Sequence, residues 1–148
     1  MILVIVGCPE PPLLIPSTLY LISQLKKENK EIVIAANFSA IKLLDIADID
    51  KYYLSNVGVV NIDKGLKIIK ELNIDKIISF VNKDSEVSYT ITYKELLNVD
   101  TYAIVFGKSI NEDFIKTLEE HNIKVYSARA YHNPMPIVNI IDKIVLEL

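Results

Sequence analysis

The chain has 148 residues, 51% of them hydrophobic, with 16 basic against 19 acidic side chains and a formal net charge of −3. That length suits a single domain, residues 1–148, which can remove roughly 70% of its unfolded surface from water without disulfide or metal staples. Its apolar runs span only five or six residues, far short of the roughly 20 needed to cross a membrane, and its charges are dispersed with no basic patch or arm, so membrane and nucleic-acid partners are both disfavoured.

Six β-branched runs read as strands: residues 2–6, 31–36, a weaker 57–61, then 76–81, 101–106 and 124–128. The clearest are continuous Ile/Val stretches, the signature of strands buried on both faces of a parallel sheet. Helical periodicity lies between most of them, with Leu19, Ile22 and Leu25 after the first, and Ile41, Leu44 and Ala47 after the second. Leu66, Ile69 and Leu72 follow the third, and Phe114, Ile115 and Leu118 the fifth. Asp63 is expected to open the third helix and Asn111 the one that follows the fifth strand. Asn133 caps a last helix with Pro134 at its first position, where a missing N–H costs nothing. Strand–helix alternation of this kind predicts an α/β fold: a three-layer α/β/α sandwich around a mostly parallel, Rossmann-like sheet of about six strands.

Ligands of open α/β sheets bind beyond the carboxyl ends of the strands. The residues leaving the strands are Gly7-Cys8-Pro9-Glu10, Asn37, Asn82-Lys83-Asp84-Ser85, Gly107-Lys108 and Arg129-Ala130-Tyr131-His132-Asn133. A phosphate loop needs several glycines and free N–H groups, whereas Gly7 stands alone and Pro9, Pro11 and Pro12 each remove a donor. Asn37 occupies the position where a dinucleotide-binding domain offers an acid to a ribose, and no GxxxxGK[ST] occurs, so NAD and ATP are disfavoured and no cofactor is assigned.

Cys8 is the sole cysteine, cannot form an internal disulfide, and fits a reducing cytoplasm. At a strand end before a helix it is placed for reactivity, although a lone cysteine is commonly a small buried hydrophobe. Cys8, Glu10 and His132 are residue types that ligate zinc, but their spacing demands no site, and no metal is assigned. Arg129 is the one arginine among the basic residues, and its planar fork suits a carboxylate or phosphate. Beside His132 and the amides of the last helix it would form an anion site; paired with Glu10 or Asp84 it would be structural. With the common strand order 3-2-1-4-5-6, the first and sixth strands are about 14 Å apart. Cys8 and His132 then share a pocket only through a bent-back loop, another strand order or a partner subunit.

Gly7-Cys8-Pro9-Glu10 with Pro12 and Ile15-Pro16, and Ala128-Arg129-Ala130 with His132-Asn133-Pro134, resemble archaeal domain-of-unknown-function family 1890, known chiefly from methanogens. The resemblance runs the whole chain and implies an archaeal cytoplasmic α/β protein; it transfers no catalytic role to any residue. The functional expectation is binding of a small molecule or anion at the carboxyl edge by Cys8, Glu10, Asn37, Arg129, His132 and Asn133, with catalysis left open. The alternative is a non-catalytic accessory or assembly subunit of a methanogen complex, with Tyr52, Tyr53, Tyr89 and Tyr93 as contact surface. Those tyrosines also suit ordinary packing, ring buried and hydroxyl wet. A homodimer is the default assembly.

Overall fold

A computed structural model describes residues 1–148. The elements are β1 (Ile2–Val6), α1 (Leu14–Lys27), β2 (Ile32–Ala36), α2 (Phe38–Ala47), β3 (Gly58–Asn61), α3 (Leu66–Lys70), β4 (Lys76–Val81), α4 (Asp84–Leu97), β5 (Asp100–Gly107), α5 (Glu112–Glu120), β6 (Lys124–Arg129) and α6 (Met135–Leu146). All six strands pair in parallel, in the order β3-β2-β1-β4-β5-β6. The sheet is therefore Rossmann-like, as the Ile/Val runs imply.

Alternation along each strand divides the core. Ile2, Val4, Val6, Ile34, Ile78, Phe80 and Ile104 face Leu21, Leu25, Leu44, Ile137 and Ile141 of α1, α2 and α6. Leu3, Ile5, Val33 and Ile77 face Ile69 and Tyr93 of α3 and α4, and Val81, Ala103 and Val105 face Val87 of α4 and Leu118 of α5. The central strands β1 and β2 are buried at every position, which explains why they carry no polar alternation.

The third helix departs from the expectation, and α4 lies where the apolar pattern is silent. The third helix is a short piece that starts after Gly65 with no side-chain cap, not at Asp63; the Asn61 side chain holds the turn before it, accepting from the N–H groups of Asp63 (2.9 Å) and Lys64 (3.2 Å). A fourteen-residue helix, α4, fills the gap between β4 and β5 where no apolar period is visible. Its buried face is Glu86, Val87, Thr90 and Tyr93, and three of these bear polar groups used internally. Thr90 Oγ1 lies 2.7 Å from Ser79 Oγ, and Tyr93 Oη donates to the Ile62 carbonyl at 2.9 Å. The last helix starts at Met135, with the Asn133 side chain accepting from its N–H (3.0 Å). Asn111 caps α5 as expected, accepting from Asp113 and Phe114.

Candidate functional site

In this strand order the direction in which successive strands are added reverses between β1 and β4, and the crevice beyond their carboxyl ends is where such sheets bind ligands. Here it is filled from within. Glu86, in the first turn of α4, is 1% exposed, and its carboxyl group accepts from the backbone N–H groups of Asn82, Lys83 (2.9 Å) and Cys8 (3.1 Å). The bond from Lys83, which precedes α4, is one half of a capping box; an ammonium has no lone pair with which to supply the other half. Burial pushes the Glu86 carboxyl above its ordinary range, against the opposing pull of the three N–H donors and the Lys83 charge.

Gly7 makes this insertion possible. A Cβ at that position would come to 2.8 Å from Glu86 Cδ and closer still to its Cγ and Oε1. The need here is for close approach, since no glycine in the chain has positive φ. Above the carboxyl group, Lys83 forms an ion pair with exposed Glu10, and its Nζ lies 3.9 Å from Cys8 Sγ. Cys8 is half-buried. Asn82 turns the other way and donates from Nδ2 to the Phe106 carbonyl at 2.8 Å, tying the end of β4 to β5.

The second group of residues sits past β5 and β6. Arg129 is exposed, and its one side-chain bond runs from Nε to the Lys108 carbonyl at 3.3 Å. Lys108 Nζ lies 4.6 Å from the centre of the Tyr131 ring, and that ring meets His132 edge-on at 4.8 Å. The six ion pairs of the chain include none of Lys108, Arg129 or His132. Glu10 belongs to Lys83 instead, so Arg129 is not held by Glu10 or Asp84. The result is an exposed cationic corner in a chain of net negative charge.

The first turn of α6 adds nothing to that corner. Pro134 and Pro136 lack an N–H, Met135 donates to Asn133, and Ile137 donates to the Pro134 carbonyl. Every first-turn position is thus without a donor or already bonded, and the amides expected to assist Arg129 are spent. An anion here receives no donor from the start of α6.

The bent-back loop that would join the two motifs is present. Ala130 N–H donates to the Gly107 carbonyl (3.0 Å), and Leu13 N–H donates to the Tyr131 carbonyl (3.2 Å). The segment after β6 thereby folds across the sheet end to the start of α1, so the loop after β1 with Pro9, Pro11 and Pro12 and the cationic corner are linked through the backbone. No three His, Cys, Asp or Glu residues gather there as a metal site would require. Asn37 caps α2, accepting from Ala40 N–H at 2.8 Å. A separate open hollow of about 390 Å³ on this edge is lined by Ile62, Asp63, Leu66, Ser85, Ser88, Tyr89 and Thr92, with Tyr89 donating to Asp63.

Sequence reasoning passed over Glu86 because no apolar period marks the helix that carries it. The available signal was an acid three residues past Lys83, the N3 spacing of a capping box. Lys108 was noted among the strand ends but not chosen.

Fold and site together define a Rossmann-like α/β protein whose switch-point crevice is closed by its own carboxyl group. The family model for a domain of unknown function, DUF1890, matches residues 3–144, and the chain belongs to that family. It is 61% identical over 147 residues to the uncharacterised protein MJ0452 of Methanocaldococcus jannaschii, covering 99% of this chain and 98% of that one. A solved structure titled "Structure of MT0777" superposes with a TM-score of 0.91 at 30% identity, covering 99% of this chain and 97% of the other. No helix is long and apolar enough to cross a membrane.

Proposed function

We propose that the protein binds a small anion, a molecule bearing carboxylate or phosphate, at the β5–β6 corner of its sheet, in the archaeal cytoplasm and as a homodimer. The observation that carries this reading is the unpaired cationic set: Arg129 with a single bond to a backbone carbonyl, beside Lys108 and exposed His132. A guanidinium has five N–H donors, so Arg129 keeps a free edge for a bidentate contact. Asn133 stands beside the corner, its side chain accepting from Met135 N–H; Cys8 and Glu10 follow β1 and Asn37 follows β2, farther along the same sheet edge, and are not counted among its ligands.

Calorimetric titration with inorganic phosphate at low ionic strength tests the proposal. Saturable binding is expected, weakened roughly 10- to 100-fold in Arg129→Gln, the worth of a charge-assisted hydrogen bond. Absence of binding at millimolar phosphate, or equal affinity in the variant, contradicts it. The second reading, a non-catalytic accessory subunit of a methanogen complex, draws support from the exposed Phe38, Ile46, Ile49 and Tyr52. An identified protein that co-elutes stoichiometrically with the chain on gel filtration would favour it over the small-anion reading.

A further inference from the structure

The apolar side chains of α2 point the wrong way for a helix that only covers a sheet. Ala40 and Leu44 are its buried positions. On the opposite side, Phe38 is 66% exposed, Ile46 67%, Ile49 in the turn that follows 76%, and Tyr52 just beyond 78%. Phe38, Lys42 and Ile46 recur every four residues and so share one face of the helix. Lys42 Nζ lies over the Phe38 ring at 5.3 Å, which leaves the stripe apolar with a charge at its middle. At roughly 150–250 Å² per aromatic side chain and somewhat less per isoleucine, this surface amounts to on the order of 600 Å². A lone monomer seldom exposes more than that in one patch. A standard interface takes about 800 Å² from each partner, so the stripe and its rim, including Leu43, are of the size a stable dimer requires.

We infer that this face is the contact between two copies of the chain, α2 packing antiparallel on the α2 of the second copy about a twofold axis between Leu43 and Leu44. Charge selects this arrangement. An axis at that point sets Lys42 opposite the partner's Asp45, and Asp45 opposite the partner's Lys42. Phe38 then reaches the turn that carries the partner's Ile49. Asp45 already accepts from Lys51 Nζ at 2.6 Å, which leaves its other oxygen for the lysine across the axis. A symmetric interface needs such a self-complementary patch. This inference rests on the homodimer reading above and adds its surface and register; it does not depend on the anion site.

Sedimentation of the purified full chain at micromolar concentration is expected to give twice the 16.8 kDa chain mass. Ile46→Lys, at an exposed position, should raise the dimer dissociation constant about 100-fold or more while leaving the circular dichroism of the folded chain unchanged. Lys42→Asp and Asp45→Lys should each weaken self-association. Mixed together they should recover a dimer, because every 42-to-45 pair across the axis becomes attractive again. A wild-type monomer overturns both the homodimer reading and this surface. A wild-type dimer that survives Ile46→Lys overturns the surface alone, as does a face that binds a different protein while the chain stays monomeric. Charge variants that fail to rescue one another overturn the antiparallel register.

Discussion

Two places on one sheet edge treat negative charge in opposite ways. Between β1 and β4, three backbone N–H groups converge on a carboxyl group, and that carboxyl is the protein's own Glu86. Past β5 and β6, Lys108, Arg129 and His132 face outward with no acidic partner. The position at which this fold most often holds a ligand is thus filled by the chain itself, and the corner proposed to bind an external anion lies about two strand spacings away, roughly 10 Å. One edge pairs a filled crevice with an exposed cationic corner, the closed and the open site of this proposal.

The largest expected effect comes from emptying the closed site. Glu86→Leu strands three N–H donors beneath the first loop and should lower unfolding free energy by about 3 kcal/mol, read by urea denaturation. Gly7→Ala forces a methyl into the same carboxyl group and should cost about 2 kcal/mol. Because both changes act on one contact, Gly7→Ala combined with Glu86→Ala should cost less than the sum of the two single changes, by on the order of 1 kcal/mol. Strict additivity would break the claim that Gly7 is there to admit Glu86.

A smaller effect distinguishes charge from shape at that position. The Glu86 carboxyl is raised in the folded protein from its ordinary value of 4.5. Below that ordinary value it is neutral in both folded and unfolded chains. As pH rises above it, the unfolded chain loses its proton first, so folding grows less favourable until the raised folded value is passed. The stability of the wild type relative to Glu86→Gln should therefore fall as pH rises from about 4.5 and then level off. A relative stability that climbs over this window would mean that the N–H donors outweigh burial.

The smallest stability effect belongs to the open site. Arg129→Gln and Lys108→Ala remove exposed side chains that make no ion pair, so each should change unfolding free energy by no more than about 0.5 kcal/mol, while Arg129→Gln abolishes most phosphate affinity. A large loss of stability in either variant would show that the corner is structural, and the comparison would fail.

How far this contrast was legible in the sequence depends on the kind of contact. The strands could be read because β1, β2 and β4 are buried on both faces and so are written in Ile and Val. Arg129 could be singled out because it interrupts a lysine-only usage. The helix α4 could not, since Glu86, Thr90 and Tyr93 on its buried side are chosen for hydrogen bonds and break the apolar period. Gly7 announced a special backbone position, but its partner lies 79 residues away, and no local pattern reports a contact across strands. The prolines of α6 were visible from the start; their consequence, a helix start with no free donor, follows only when the Asn133 cap is seen in place.

The most direct test is to follow backbone amide resonances of the wild-type protein during titration with inorganic phosphate. Saturable shifts should concentrate at Gly107, Lys108, Ser109 and the segment from Arg129 to Asn133, with Cys8, Asn82 and Lys83 unmoved because Glu86 already occupies their N–H groups. Shifts centred on Cys8, Asn82 and Lys83 instead would contradict the account, for they would show that the crevice, and not the corner, receives the anion.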